Sequence, residues 1–552
     1  MNTNIINSST LIQMIQMGAT NLSNYKEIIN KLNVFPVPDG DTGTNMNLSM
    51  SSGVKEINNI ANEEMSTVVN AFVKGLLMGA RGNSGVILSQ LFRGFSSSLE
   101  GKNEINAIDL ATALDAGVQV AYQSVTTPVE GTILTVAKDA AKVAVEEAQK
   151  VKNITELMEK VVEAAKKSLE RTPDLLPILK EVGVVDSGGK GLVVIYDGFL
   201  AALKGEEISG KDETNMEMRI QQEHEHAVQS FISAESIEYG YCTEFFVEFD
   251  PEKLDETPFD ENAFRTTLSE YGDSLLVASD HDFVKIHIHT EYPGKVMTIA
   301  QQYGQLTKID IENMRKQYAS IIDESLEGKG QEVEKEYGII AVAFGSGLKE
   351  MFESIGATTI IEGGQTMNPS TEDLLTAIEK TNAKHTFIFP NNKNIILSAN
   401  QAKELSTKNI IIIPTKTIPQ GISALFAFDE EESVDTNEGN MMAAIEDVKT
   451  GLVTYATRDT VIHHMEIKKD SYMGLNDGTI KVTNPDKLET VQLLINEIID
   501  EDDEIITIFY GEDVQEDELN RLKHYVNEHV EDVDVEFYFG NQPIYSFILM
   551  VE

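Results

Sequence analysis

Cysteine, basic residues and long apolar runs are all scarce in this sequence. A single cysteine excludes an intramolecular disulfide and is typical of a reducing compartment. Lys and Arg total 44 against 90 Asp and Glu, and the resulting formal charge of -46 repels nucleic acids and anionic membranes. The longest apolar stretches are short or carry a charge, so we expect no membrane-spanning helix. The first ten residues are polar and lack a basic segment, which predicts no secretory signal.

Hydrophobic patterning changes along the 552 residues, which are too many for one domain. Residues 1–205 have helical periodicity without β-branched alternation, which predicts an all-α domain. Residues 206–234 are polar and charged and predict a linker. Strand-like and helical patterns mix in residues 235–325, which favours a small α+β domain. Short apolar runs separated by helical patterns in residues 335–552 predict an α/β region with a parallel sheet.

The stretch Asn33–Asn47 brings two carboxylates close together in the sequence. Gly40 separates Asp39 from Asp41, and two nearby prolines make the approach non-helical. In an extended segment both carboxylates point the same way, which is costly unless a cation lies between them. Oxygen ligands of this kind favour Mg²⁺. The same residues also fit an ordinary Asx turn before a helix.

Four breaks between helical patterns carry glycine and small hydroxyl residues at the start of the next helix. A helix N-terminus presents free backbone N–H groups and partial positive charge, which favour phosphate. None of the four breaks is a Walker A loop or a Rossmann glycine pattern. With the paired carboxylates they predict a nucleotide–metal site at the mouth of a helical barrel. The four segments are 39–45, 81–85, 128–132 and 186–191.

Cys242, His287 and His289 form a second candidate site. The alternating pattern of Phe283–Thr290 predicts a strand with both histidines on one face, and Cys242 lies in another predicted strand. A thiolate and two imidazoles are zinc-type ligands that leave a fourth position for water or substrate. A half-buried pair of histidines beside an unrelated cysteine fits the same residues.

The segments Asn33–Asn47, Gly82–Gly85, Glu130–Thr132 and Asp186–Gly191 resemble the motifs of the DhaL-type kinase domain. That domain is the ATP-binding half of dihydroxyacetone kinases. The resemblance implies an eight-helix barrel that holds ATP or ADP through Mg²⁺.

The same resemblance implies roles for single residues. Asp39 and Asp41 match two metal-binding aspartates of a Gly-Asp-x-Asp-x-Gly motif, and the upstream position of a third family aspartate falls near Asn33, which is not a carboxylate. Nucleotide and phosphate contacts are implied for Thr42, Gly43, Thr44, Asn45, Asn83, Ser84, Gly85, Thr132, Asp186 and Gly188.

The order of the three regions resembles the ATP-binding subunit of bacterial fatty acid kinases, with a DegV-like C-terminal region. In that family a separate DegV-like protein carries the fatty acid, whose carboxylate is phosphorylated to an acyl phosphate for phospholipid synthesis. The resemblance implies ATP, Mg²⁺ and zinc as cofactors, partner binding by the C-terminal region, a cytoplasmic location and a homodimer. It ties Cys242, His287 and His289 to zinc and to activity, with His287 as a catalytic candidate.

Two other functions fit the same sequence. A dihydroxyacetone-type kinase holds its substrate on a histidine, a role for which His287 or His289 is a candidate, although the middle domain is small for it. A nucleotide-binding scaffold without turnover would bind ATP and have no acceptor. The acceptor that is phosphorylated, a fatty acid or a triose, distinguishes the two kinases.

Overall fold

The computed structural model describes residues 4–33, 40–58, 60, 64–125, 128–151, 153–206, 208, 239–279, 283–313, 315, 334–364, 368–456, 459–462, 465–530 and 533–552. The chain forms two compact units. The first joins Met1–Ile208 to Glu334–Glu552, and the second is Ser209–Val333. Nearly all of the expected linker, 206–234, lies outside the described residues.

The first part of the larger unit, residues 4–206, is called the helical domain. Its helices are α1 (Ser8–Leu32), α2 (Thr42–Asn58), α3 (Met65–Met78), α4 (Gly82–Ser98), α5 (Ala107–Ser124), α6 (Ile133–Ala148), α7 (Ile154–Leu175), α8 (Pro177–Val182) and α9 (Ser187–Lys204). Contacts run from α1 through α2, α4, α5, α6, α7 and α9 back to α1, which closes a ring. The all-α class is therefore confirmed. The described residues of the helical domain contain nine helices rather than eight. The additional one is the six-residue α8, which starts at Pro177, a favoured first helical residue.

One hydrophobic core fills the ring of helices. Leu11 and Ile15 lie one helical turn apart on α1 and are both buried, as their spacing predicts. Phe92 of α4 meets the ring edges of Phe72 at 5.1 Å and Phe199 at 6.1 Å between centroids. Full burial of each such side chain stabilises the fold by about 1.5–3 kcal/mol.

The second unit, called the middle domain, is a four-stranded sheet with helices on one side in its described residues. Its elements are β1 (Tyr241–Phe249), α10 (Pro251–Glu256), α11 (Glu261–Leu268), β2 (Gly272–Ser279), β3 (Phe283–Thr290), α12 (Pro293–Ala300) and β4 (Gly304–Asn313). The strand order is β2-β3-β1-β4, with all neighbours antiparallel. Phe245, Val247, Ile286 and Ile288 bury one face against the helices. The α+β class is confirmed.

The rest of the larger unit, residues 334–552, is called the C-terminal domain and has α/β architecture. Its strands are β5 (Lys335–Ala343), β6 (Thr359–Glu362), β7 (Ala383–Phe389), β8 (Asn409–Ile412), β9 (Lys449–Tyr455), β10 (Thr460–Ile462), β11 (Met465–Ile467), β12 (Tyr472–Asn476), β13 (Thr479–Asn484), β14 (Ile505–Tyr510), β15 (Asp534–Phe539) and β16 (Phe547–Val551). Its helices are α13 (Ser346–Ser354), α14 (Thr371–Lys380), α15 (Ile396–Leu405), α16 (Ile418–Phe426), α17 (Val434–Asp447), α18 (Lys487–Ile498) and α19 (Glu516–His529).

Two main sheets organise the C-terminal domain. The first is parallel with the order β6-β5-β7-β8, as the alternation of short apolar runs and helices predicts. The second is mixed, with the order β13-β12-β9-β16-β14-β15, and β10 pairs with β11 as a separate ribbon. Within the described ranges, no helix has the length and apolar content needed to cross a bilayer.

Helices α4 and α5 cross at two glycines that allow backbone contact. A Cβ atom at Gly94 would collide with the carbonyl oxygen of Ala116, and one at Gly117 with that of Leu91. Neither carbonyl is the far end of a flexible side chain, so the helices themselves would have to separate.

We therefore expect Gly117→Ala to lower the free energy of unfolding by about 1–3 kcal/mol, because the added methyl group overpacks the crossing. Gly439→Ala is the matched control, since Gly439 lies in α17 with no atom near its Cβ position. There the helix propensity of alanine should stabilise the protein by up to about 1 kcal/mol. Urea unfolding followed by circular dichroism measures both changes. Equal effects of the two substitutions would contradict the tight crossing.

Candidate functional site

Asp41 stands immediately before α2. Gly40 precedes it with a φ of +42°, a region that other residues rarely adopt. The Asp41 carbonyl accepts the first helical hydrogen bond from Asn45 N–H at 2.8 Å, so Asp41 is the N-cap residue of α2. Its side chain is buried. Asp39 and the other residues of 34–39 lie outside the described part of the chain. Of the expected pair of carboxylates, the structure therefore describes only that of Asp41.

The starts of α2, α6 and α9 lie next to one another. The Ser187 hydroxyl at the start of α9 donates to Thr42 Oγ1 at the start of α2, over 3.2 Å. Gly188 lies against the first residue of α6, since a Cβ atom on Gly188 would be 3.2 Å from Ile133 Cβ. Three of the four segments that the sequence singled out are therefore neighbours in space.

The start of α4 joins the same group of helix N-termini. Gly82 has a φ of +56°, and a Cβ atom there would lie 2.7 Å from Nδ2 of Asn45 in the first turn of α2. One turn further on, Gly85 packs against Ser49 Oγ. The four helix N-termini therefore surround one region beside Asp41, and their partial positive charge makes it suited to an anion such as phosphate.

Gly43 and Thr44 contact α1. A Cβ atom at Gly43 would collide with the Lys26 carbonyl oxygen, so the close approach of α1 already requires glycine at this position. The Thr44 N–H donates to Asn30 Oδ1 and its hydroxyl accepts from Asn30 Nδ2, both at 3.0 Å. These two residues therefore fix the angle at which α2 leaves α1.

The remaining hydroxyl and amide candidates lie at the starts of α4 and α6. Thr132 is the N-cap residue of α6, and its hydroxyl donates to the Val129 carbonyl at 2.8 Å. Ser84 is partly exposed in the first turn of α4. Asn83 Nδ2 donates to Oδ1 of Asn394 in the C-terminal domain at 3.2 Å, so its side chain already contacts that domain.

Asp186 is the N-cap residue of α9 and has a raised pKa. Its carboxylate accepts the Gly189 N–H at 2.7 Å. Burial nevertheless raises the pKa of Asp186 from 3.8 to about 6, because loss of water outweighs the stabilisation from backbone N–H groups.

The C-terminal domain adds a residue that the sequence analysis did not identify. Asn368 lies between β6 and α14, and its Nδ2 donates to the Asp41 carboxylate. Arg81, which precedes α4, donates to the Asn368 carbonyl at 2.9 Å and lies 3.4 Å from Asp373 Oδ2. The signal available in the sequence was the position of this segment after a strand of the parallel sheet, where such sheets present their binding loops.

Three family models match the chain in order: the DAK2 domain over residues 36–201, the FakA-like (fatty acid kinase) middle domain over 238–321, and the FakA-like (fatty acid kinase) C-terminal domain over 338–552. The sequence is 52% identical to protein YloV of Bacillus subtilis and 50% identical to the uncharacterized protein SH1689 of Staphylococcus haemolyticus, over 99% of each chain. The chain belongs to the FakA-like fatty acid kinase family.

Solved structures similar to this FakA-like protein align with single regions of it. The DegV family protein Cg2579 of Corynebacterium glutamicum aligns over 39% of this chain and 96% of its own, with 11% identity and a TM-score of 0.31. The dihydroxyacetone kinase of C. freundii, in complex with AMP-PNP and Mg²⁺, aligns over 36% of this chain and 34% of its own, with 18% identity and a TM-score of 0.29.

The middle domain of this FakA-like protein pairs Cys242 with His289. They are directly opposite residues of β1 and β3, and both side chains are buried. His289 Nδ1 lies 3.5 Å from Asp273 Oδ1 on β2. His287 pairs with Glu244 in the backbone register, and its side chain is not among those described. Among the described side chains, which do not include that of His287, no three His, Cys, Asp or Glu residues are grouped closely enough to hold a metal ion. The expected zinc site is therefore not shown.

Asp186→Asn should make folding stability less dependent on pH. The raised pKa means that folding favours the protonated carboxyl, whose stabilisation is complete below pH 3.8 and is lost as the pH rises through 6. Asparagine also caps helices and carries no charge. Between pH 4 and 6 we expect the free energy of unfolding of the variant to rise relative to that of the wild type. Above pH 6 it should stay higher by about 1–3 kcal/mol. Urea unfolding across this range measures the gain. A variant that is less stable than the wild type at pH 7 would contradict the raised pKa.

Proposed function

We propose that this protein transfers the γ-phosphoryl group of ATP to the carboxylate of a fatty acid presented by a separate DegV-like protein. The product is an acyl phosphate for phospholipid synthesis. The observation that carries the proposal is the convergence of four helix N-termini beside Asp41, within the region that matches the DAK2 domain. The FakA-like models over the rest of the chain support the choice of acceptor.

The residues beside Asp41 fit Mg²⁺ and phosphate. Asp41 offers a buried carboxylate, and we propose Asp39 as a second oxygen ligand. Backbone N–H groups at the four helix starts, with Thr42, Ser84 and Thr132, would hold phosphate oxygens. When bound, Mg²⁺ would supply charge neutralisation between the phosphate groups. The protein's task is then to hold the nucleotide in line with its acceptor.

A fatty carboxylate requires no general base from the protein. Its pKa is near that of glutamate, about 4.3, so it is ionised at neutral pH and already nucleophilic. The obstacle is repulsion between two anions, which positioning and positive charge at the helix N-termini reduce. This requirement agrees with a site in which several helix N-termini face the phosphate groups.

A cavity in the C-terminal domain supports a separate carrier for the fatty acid. It has a volume of about 80 Å³, with Phe344, Ile395, Ile418 and Ile548 among its walls and Lys416 at its edge. Pockets for drug-sized ligands typically measure about 300–1,000 Å³, so this cavity does not accommodate a long acyl chain. We propose that the C-terminal domain instead binds the protein that carries the acyl chain.

The decisive experiment combines the purified protein, Mg²⁺, ATP and a DegV-like protein loaded with a long-chain fatty acid. Acyl phosphate, trapped as a hydroxamate, should form only when all four components are present. Asp41→Asn should reduce the rate by more than about 100-fold, since even outer-shell residues of metal sites cost 10–100-fold. Asp115→Asn, an exchange of the same type on α5, should leave the rate unchanged.

Three results would contradict the proposal. Phosphorylation of trioses in place of the fatty acid would favour a dihydroxyacetone-type kinase. ATP binding without turnover on any acceptor would favour a scaffold. Full activity of Asp41→Asn would remove Asp41 from the site.

We also propose that Cys242, His287 and His289 bind one Zn²⁺ with a fourth position open to water, the acceptor or the partner. The direct pairing of Cys242 with His289 across β1 and β3 supports this proposal, because it puts a thiol and an imidazole side by side. Within it, His287 is the catalytic candidate.

Elemental analysis of the full-length protein tests the zinc proposal. The wild type should carry about one zinc per chain, and Cys242→Ser and His289→Ala should lose it while they retain ATP binding. His524→Ala, on the exposed side of α19, is the control and should retain zinc. Since the ligands are thiolate and neutral imidazole, zinc affinity should fall as the pH drops through about 6.5. Wild-type protein purified without zinc would refute the site.

A further inference from the structure

Asn368 reaches from the C-terminal domain to the N-terminus of α2. Its side chain is completely buried, and its Nδ2 donates to Asp41 Oδ2. The orientation of the amide follows from the partner, because an ionised carboxylate only accepts hydrogen bonds. Asn368 therefore contacts the Asp41 carboxylate directly, and Asp41 is the one proposed Mg²⁺ ligand that the structure describes.

The other amide atom of Asn368 is an unused acceptor. Oδ1 is buried and has no hydrogen-bond partner among the described residues. Buried polar atoms in folded proteins nearly always have a hydrogen-bond partner, so this oxygen calls for a ligand. The amide also lies close to the start of α4, since a Cβ atom on Gly82 would be 3.4 Å from Asn368 Nδ2. An unpaired oxygen beside a carboxylate suits a hydrated cation, while the helix N-terminus suits the phosphate that accompanies it.

The backbone from Asn368 to Thr371 is fastened to the helical domain. Arg81 donates to the Asn368 carbonyl and forms an isolated β-bridge with Ser370. The Thr371 N–H donates to the Ala80 carbonyl at 3.1 Å. Ser370 is also the N-cap residue of α14, so the segment is fixed in its own domain as well. Asn368 is thus held in place by both domains.

We propose that Asn368 is a positioning residue of the nucleotide–metal site. Nδ2 orients Asp41, and Oδ1 accepts from a water molecule of the metal ion that Asp41 binds. The inference rests on the proposed function and extends it, because the C-terminal domain then completes the phosphoryl-transfer site in addition to binding the carrier.

Mn²⁺ binding to the full-length protein with ADP, followed by electron paramagnetic resonance, tests this role without turnover. Asn368→Ala should weaken Mn²⁺ binding about 10–100-fold, as loss of an outer-shell partner does. Asn368→Asp should bind Mn²⁺ at least as tightly as the wild type, because a second carboxylate faces the cation. Without metal, the same variant should have a lower melting temperature, because the new carboxylate repels Asp41.

Gln401→Ala is the matched control for loss of an interdomain hydrogen bond. Gln401 Nε2 donates to the Leu77 carbonyl at 2.7 Å, in the same interface between the helical and C-terminal domains but on α15. We expect this variant to keep wild-type Mn²⁺ affinity. An equal loss of affinity in Gln401→Ala and Asn368→Ala would reduce Asn368 to a packing residue and overturn the inference.

Two further comparisons separate this inference from the proposed function. If Asp41→Asn itself retains wild-type affinity for Mn²⁺ and ADP, the metal site is wrongly assigned and the proposed function fails. If Asp41→Asn loses affinity while Asn368→Ala keeps it, only the role of Asn368 fails. Should Asn368→Ala not fold, Asn368→Asp decides, since weaker Mn²⁺ binding in that isosteric variant contradicts an oxygen aimed at the cation.

Discussion

The backbone contact between α1 and α9 is the constraint on which the helical domain depends. A Cβ atom at Gly198 would lie 2.6 Å from Gly18 Cα, so the two helices touch where neither has a side chain. Asn21 Nδ2 adds a buried hydrogen bond to the Val194 carbonyl at 2.8 Å. This contact closes the ring and brings the start of α9 beside the start of α2. A wider separation would pull apart the helix N-termini that make the region suited to phosphate.

The sequence predicted the fold class because periodicity is a local property. The helices follow their apolar spacing, and the β5, β7 and β8 strands follow short apolar runs. The glycine-rich breaks also indicated helix starts correctly, since caps and chain reversals are set by neighbouring residues. The sequence suggested that the four helix N-termini lie close together only because they share the same residue types. The closed ring of helices explains why they are close.

The contact of Asn368 with Asp41 could not be predicted from the sequence, because the two residues are 327 positions apart. No spacing rule links a loop after β6 to the N-cap residue of α2, since that link depends on how two domains pack. Gly43 presents the opposite case. A glycine there was expected to let a ligand approach the backbone closely. In the structure it is the Lys26 carbonyl oxygen of α1 that lies close to it. Residue type alone does not distinguish close approach to a ligand from close approach to another helix.

The place of β16 in the second sheet has a consequence for how the chain folds during synthesis. Residues Phe547–Val551 are buried and lie between β9 and β14, which precede them in the sequence. Until the ribosome has made these residues, β9 and β14 each expose an unpaired apolar edge. The helical domain has no such dependence on late residues within its own ring. Nascent chains that end before β16 are therefore expected to carry a folded helical domain and an open, aggregation-prone sheet.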